Sequence, residues 1–273
     1  MNVLEVANLR VTDDRNDQVI IKDLSFSLEE HRCLALVGES GSGKSMTVKA
    51  ISGIHKPWIQ CGGEIVFEGR NLLTQPAAAV RDIRGKKLFM IFQDGMSAFD
   101  PSCPILNTLR EIMIENLGGS KETADPLIYA SMEKVLLKNP GELLGKYPHQ
   151  LSGGMLQRIM IALSLALEPR IIIADEPTTS LDTITQYEVI NELIRVKETL
   201  KTAMIFISHD LGIVRKLADY LIVMKEGTKV EEGSVEEVIN HPREDYTKYL
   251  VNTRKALSEN YHRLRLSKGY ESC

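Results

Sequence analysis

The segment GESGSGKS, residues 38–45, fits the pattern G-x-x-x-x-G-K-[ST] at every fixed position. The chemistry of that pattern is phosphate binding. Backbone N–H groups must turn inward around β- and γ-phosphates, and Gly41 and Gly43 permit the angles and the close approach this needs. A helix starting where the loop ends aims its positive pole at the anion. The Lys44 ammonium supplies a mobile cation for the β/γ oxygens, and the Ser45 hydroxyl supplies a ligand for Mg²⁺. Gly38, Glu39, Ser40, Gly41, Ser42, Gly43, Lys44 and Ser45 are therefore the expected triphosphate cradle. A second stretch, IIIADEP at 171–177, ends a buried apolar run on two carboxylates. Asp175 is placed to hold the Mg²⁺ shell. Glu176, one residue further on, suits a general base that orients an attacking water. A third stretch, LSGGMLQR at 151–158, puts Ser152, Gly153 and Gly154 at the start of a helix. A hydroxyl and free amides there make a second anion site.

These groups need strands and helices in a fixed order. CLALV (33–37) reads as a strand buried on both faces, and KSMTVKAISGI, after the loop, has helix-compatible composition. LSFSL (24–28) alternates as a half-buried strand does, and GEIVFEG (63–69) and KLFMIFQ (87–93) also read as strands. From about residue 100 to 167 the strand signals give way to helical spacing. RIIIADEP, AMIFISHD (203–210) and YLIVMKEG (220–227) return to strands, with an amphipathic helix over 187–200 between the first two. Strands alternating with helices predict an α/β fold with a mostly parallel sheet covered on both faces. The net charge of −4 gives no electrostatic reason to expect nucleic acid. Cys33, Cys61, Cys103 and Cys273 show no Cys-x-x-Cys pairing, so neither a zinc site nor a disulfide framework is expected. The N-terminus lacks the apolar core of a signal peptide, and no window approaches the roughly 18 apolar residues that span a bilayer.

LSGGMLQR resembles the signature sequence of ATP-binding cassette (ABC) ATPases, and the remaining motifs stand in that family's order over about residues 3–250. Gln93, after LFMIF, matches the glutamine that touches Mg²⁺ and water and links the site to the transporter. Ser180-Leu181-Asp182 matches the D-loop, and His209 in FISHD matches the switch histidine near the γ-phosphate. The resemblance implies a P-loop NTPase of ABC architecture: a mostly parallel core, an antiparallel β subdomain and a helical subdomain at about 100–167. The cassette would cover 1–250, with a short polar tail at 251–273. It implies Glu176, His209, Lys44 and Gln93 as catalytic residues, and metal contacts from Ser45, Gln93 and Asp175. Asp182, Ser152, Gly153 and Gly154 join the nucleotide-binding set. ATP and Mg²⁺ are the implied ligands. Two cassettes pair head to tail in this family, each signature closing over the other's ATP.

SAFDP (97–101), DEPTTSLD (175–182) and HPREDYTKYL (241–250) look like the branch that serves dipeptide, oligopeptide, nickel and metal–metallophore uptake. Peptide members commonly carry a longer, cysteine-containing C-terminal extension. No such cluster precedes Cys273, which favours nickel or a metal chelate, with dipeptide or oligopeptide import as the alternative. A soluble ABC ATPase of DNA repair or translation is the alternative from another class. The branch implies two transmembrane permease subunits and a second ABC ATPase subunit, as a heterodimer in preference to a homodimer. It also implies an extracytoplasmic solute-binding protein acting indirectly, no nucleic acid, and a peripheral place on the cytoplasmic face of the cell membrane. One departure stands out. The family stacks adenine on an aromatic residue just after the first strand, and RVTDDRNDQ (10–18) offers none. Trp58 and Cys61 read as packing residues, and the basic tail residues Arg254, Lys255, His262, Arg263, Arg265 and Lys268 as a solvated helix face.

Overall fold

Two long strands open the chain, β1 (Asn2–Asp13) and β2 (Gln18–Glu29), paired antiparallel through a short turn. Their burial alternates along the strand, as expected where one face meets the core and the other meets water. The structure, a computed structural model, describes residues 1–135 and 137–253. The basic tail residues lie outside that range.

β3 (Cys33–Val37) runs into the phosphate loop and α1 (Lys44–Ser52). β4 (Ile59–Phe67) then pairs antiparallel with β1, and β5 (Arg70–Asn71) pairs with β4. Cys61 therefore sits within a strand, opposite Val11. After α2 (Ala77–Ile83) and β6 (Leu88–Ile91) comes the helical stretch: α3 (Ile105–Leu117), α4 (Lys121–Lys134), α5 (Pro140–Leu144) and α6 (Gly153–Leu167). β7 (Ile171–Asp175), α7 (Thr183–Leu200), β8 (Ala203–Ile207), α8 (Leu211–Leu217), β9 (Tyr220–Lys225), β10 (Thr228–Ser234) and α9 (Val235–Asn240) follow, then a helical segment at 245–253.

The strands join in the order β5-β4-β1-β2-β10-β9-β3-β8-β7-β6. The half from β9 to β6 is parallel, and the β5-β4-β1-β2 arm is antiparallel. The parallel strands separate two cores. On β3, Cys33, Ala35 and Val37 face the helical core, while Leu34 and Leu36 face the core shared with β1, β2 and α1. Ile172 and Ala174 against Ile171 and Ile173 on β7 divide the same way, as do Met204 and Phe206 against Ile205 and Ile207 on β8. Side chains of period two between two apolar layers explain why these strands read as unbroken hydrophobic runs.

This arrangement fixes where chemistry occurs. β3, β8, β7 and β6 are adjacent and parallel, so the segments leaving their carboxyl ends meet at one edge of the sheet. Those segments are the phosphate loop, His209, Glu176 and Gln93. Ligands of open α/β sheets bind at this edge. Phe206 on β8 is a large, fully buried side chain of the helical core. Phe206→Ala is expected to cost about 3–5 kcal/mol, read as a lowered urea midpoint with an unchanged denaturant slope.

Candidate functional site

The phosphate loop has its shape because side chains are excluded from it. Gly38 has φ 149°, and a Cβ there would lie 2.1 Å from the Met224 carbonyl oxygen. Gly43, at φ 106°, is the N-cap of α1. The loop is tied down by Gly227 N–H donating to the Ser42 carbonyl at 3.1 Å and Ser42 N–H donating to Glu39 at 3.2 Å. A further tie comes from the closing helical segment, where the Tyr246 hydroxyl accepts from the Glu39 N–H at 3.1 Å. Lys44 is only 5% exposed. Its Nζ donates to the carbonyls of Gly38 and Glu39, both at 2.9 Å, and to Ser42 Oγ at 3.4 Å. Burial pushes the Lys44 ammonium below its usual pKa, while the charges of Glu176 and Asp175 oppose that shift.

Ser45 Oγ donates to Asp175 Oδ1 at 2.9 Å. Burial raises the Asp175 carboxyl above the usual carboxylate range, against the lowering effect of the Ser45 hydrogen bond. A hydroxyl and a carboxylate form a hard oxygen donor set, which suits Mg²⁺ completed by phosphate oxygens and water. Glu176 takes a left-handed backbone conformation, φ 46°, with its N–H donating to the Ile207 carbonyl at 3.1 Å. Its Oε2 accepts from Thr179 Oγ1 at 2.8 Å and from Gln93 Nε2 at 3.5 Å, and lies 3.7 Å from His209 Nδ1. A cavity of about 330 Å³ is lined by Gly38, Glu39, Lys44, Glu176, His209 and Leu250, among others.

Lys44, Ser45, Asp175, Glu176, Gln93 and His209 thus come together in one place. Ser152, Gly153, Gly154 and Asp182 do not line that cavity. Ser152 Oγ caps α6 by accepting from Met155 N–H at 3.3 Å. Asp182 caps α7, with Oδ1 accepting from Ile184 and Thr185 N–H and Oδ2 from the Thr185 hydroxyl at 2.6 Å. The two helix starts pack together: a Cβ on Gly154 would lie 2.1 Å from Thr185 Cγ2.

Sequence reasoning missed three contributors. Thr179 stands three residues after Glu176, and that spacing was the available signal. Gln157 is buried on α6, and its Nε2 donates to the carbonyls of Phe92 at 2.8 Å and Gln93 at 3.2 Å. A lone amide inside the apolar run MLQRIMIALSLAL was its signal. Tyr246 had none, because its partner is 207 residues away.

A glycine loop holding a buried lysine, with two carboxylates beside it at the carboxyl edge of a parallel sheet, is the arrangement of a P-loop nucleoside triphosphatase. Residues 21–179 match the family described as ABC transporter. The chain is 44% identical over 261 residues to the metal-staphylopine import system ATP-binding protein CntD of Staphylococcus aureus, covering 96% of each. It is 40% identical to the dipeptide transport ATP-binding protein DppD of Lactococcus lactis, covering 96% of this chain and 76% of that one. Among solved structures, the dimeric ATP-binding cassette MJ0796 in a post-hydrolysis state bound to ADP and Pi superimposes with a TM-score of 0.74. That match has 26% identity and covers 85% of this chain and 98% of the other. The chain belongs to the ABC transporter family, as an ATP-hydrolysing subunit of an importer. Among the described residues no helix is long and apolar enough to cross a membrane.

The raised Asp175 pKa has a thermodynamic consequence. A folded state that holds the proton more tightly than the unfolded chain loses stability as pH rises through the folded pKa. In metal-free buffer, Asp175→Asn, which keeps an oxygen for Ser45, is expected to raise Tm at pH 7. The gain should shrink towards zero below about pH 4, near the ordinary carboxylate value. Thermal melts across that range check the sign.

Proposed function

We propose that this chain energises import of nickel or a metal chelate across the cytoplasmic membrane, working as a peripheral subunit beside two permeases and a second, non-identical cassette. The observation that supports the metal reading is the match along 96% of both chains to the metal-staphylopine import ATPase. The dipeptide relative, at 40% identity, supports the alternative cargo.

In this reading the loop from Gly38 to Ser45 wraps the β- and γ-phosphates, and Lys44 leaves its two carbonyls for phosphate oxygens. Ser45, Asp175 and Gln93 would hold Mg²⁺, which when bound neutralises charge on the phosphate oxygens. Glu176 accepts a proton from the attacking water, and the Thr179 hydroxyl aims the carboxylate. His209, close to Glu176, donates to the developing charge on the γ-phosphoryl group. Ser152, Gly153 and Gly154 serve the nucleotide of the other cassette, because they lie outside this chain's own cavity, and Asp182 holds the adjoining helix start in register.

Glu176→Gln is expected to lower ATP turnover by about 10²–10⁴-fold while calorimetry shows ATP still bound. Wild-type turnover in that variant would overturn the assignment. Cargo is tested in cells lacking the chain, complemented with it, by uptake of radiolabelled nickel with and without a chelator and of a labelled dipeptide. Restored nickel uptake is expected; restoration of dipeptide uptake alone would overturn the metal reading.

A further inference from the structure

HPREDYTKYL (241–250) lies far from the phosphate loop in sequence, yet it folds back onto that loop. Its start is fixed to the sheet. Both carboxylate oxygens of Glu231, on β10, accept backbone N–H groups, from Arg243 at 2.9 Å and from Glu244 at 3.1 Å. Those N–H groups stand just ahead of the helical segment 245–253, so the carboxylate satisfies them and complements the positive end of that helix. Thr247 and Val251 are buried, which seats the helix against the body of the protein. Tyr246 and Leu250, four residues apart, share another face of it. Leu250 lines the cavity that also holds Lys44, Glu176 and His209. The Tyr246 hydroxyl accepts from the Glu39 N–H at 3.1 Å. The Lys225 ammonium lies 5.0 Å from the centre of the Tyr246 ring and steadies it.

The contact matters because of what else Glu39 does. Its carbonyl accepts from Lys44 Nζ at 2.9 Å and from the Ser42 N–H at 3.2 Å. One residue thus has its carbonyl on the loop lysine and its N–H on Tyr246. When Lys44 turns to a phosphate, the Glu39 carbonyl loses one of its two donors, and the bond to Tyr246 remains to hold the turn. Burial raises the Tyr246 phenol above its usual pKa, against the lowering effect of the Glu39 N–H, so the hydroxyl stays neutral beside an anionic ligand.

We propose that Tyr246 is a positioning residue for the phosphate loop: through the Glu39 N–H it holds the loop's first turn in its triphosphate-binding shape while Lys44 changes partners. The inference rests on triphosphate binding at the loop, and it assigns a task there to a side chain 207 residues away in sequence. Tyr246 touches no reacting atom. It preorganises the cradle, so its contribution falls on binding. The chemical step is spared, because a seated triphosphate orders the loop by itself.

Tyr246→Phe removes the acceptor oxygen and keeps the ring beside Lys225. With Mg²⁺ present, binding of ATP and of inorganic tripolyphosphate, which has no sugar or base, is measured by calorimetry. The full chain carries Glu176→Gln for this, so that turnover does not consume the ATP. Tyr246→Phe is expected to weaken both ligands by the same factor, about 3- to 10-fold, as for one hydrogen bond. With Glu176 intact, KM for ATP should rise by that factor while kcat is unchanged. A merely structural role would reduce the active protein, and a fall in kcat at constant KM overturns the proposal. Glu39→Pro removes the donor of the same hydrogen bond, so adding Tyr246→Phe to it should weaken binding no further. Should the proline variant fail to fold, the phenylalanine variant alone decides. Unchanged affinity for both ligands in Tyr246→Phe, a loss confined to ATP, or an undiminished further loss beside Glu39→Pro would each overturn the proposal. If neither ligand binds before Tyr246 is changed, the triphosphate reading of the loop fails and the positioning role falls with it.

Discussion

A nearly buried lysine ammonium held by two backbone carbonyls is the interaction on which the site depends. Lys44 has left water, and Gly38 and Glu39 replace part of its hydration at 2.9 Å each. Desolvating an ammonium costs far more than one neutral hydrogen bond returns, and the charges of the nearby Glu176 and Asp175 oppose that cost. The arrangement is stable but not optimal. A triphosphate offers Lys44 a better partner than a carbonyl, and the loop is already curved to receive one. Lys44 can change partners only if the loop stays put. That explains why the loop is anchored from outside, by Gly227 and Tyr246, and leaves no space for a side chain at Gly38.

The carboxylates carry a related cost. Burial opposes ionisation of Asp175. Glu176 holds a left-handed backbone that a glycine would adopt more easily, a strain of about 1–3 kcal/mol. The Ile207 carbonyl and the Thr179 hydroxyl hold it there from two sides. Groups with these liabilities persist where chemistry needs them, and all of them lie at the edge where β3, β7 and β8 end. The strands behind them are buried on both faces. Strain at the edge is thus supported by packing in the centre.

What the sequence made legible follows the same division. The loop, the Asp175-Glu176 pair and the start of α6 stand out in the sequence because each is a short run of distinctive residue types. The parallel strands could be read because two apolar layers leave no polar face. Contacts between distant runs escaped. Even the short-range contact of Thr179 forms only because Glu176 turns its carboxylate back over the chain. Trp58 reads as a packing residue, and nothing local shows that Arg15, held by Asp13, lies over its ring. The order of the sheet, with β10 inserted between β2 and β9, is set by long-range pairing that no local pattern encodes.

Gln157 joins the two halves of the site. Its side-chain amide reaches from α6, whose N-terminus carries Ser152, to the carbonyls at the end of β6, from which the Gln93 side chain extends to Glu176. Gln157 is 1% exposed, so breaking those bonds would strand its buried amide N–H groups at a cost of about 1–3 kcal/mol. A movement of the α6 start must therefore either carry the Gln93 backbone with it or meet that cost. The first is cheaper, since Gln93 is followed by a short 3-10 turn, Gly95–Ala98, whose Gly95 packs against Leu156 on the same helix. The start of α6 and the carboxylate of Glu176 are thus linked through Gln157 and Gln93, by a side-chain amide on the Gln93 backbone and the Gln93 side chain on Glu176.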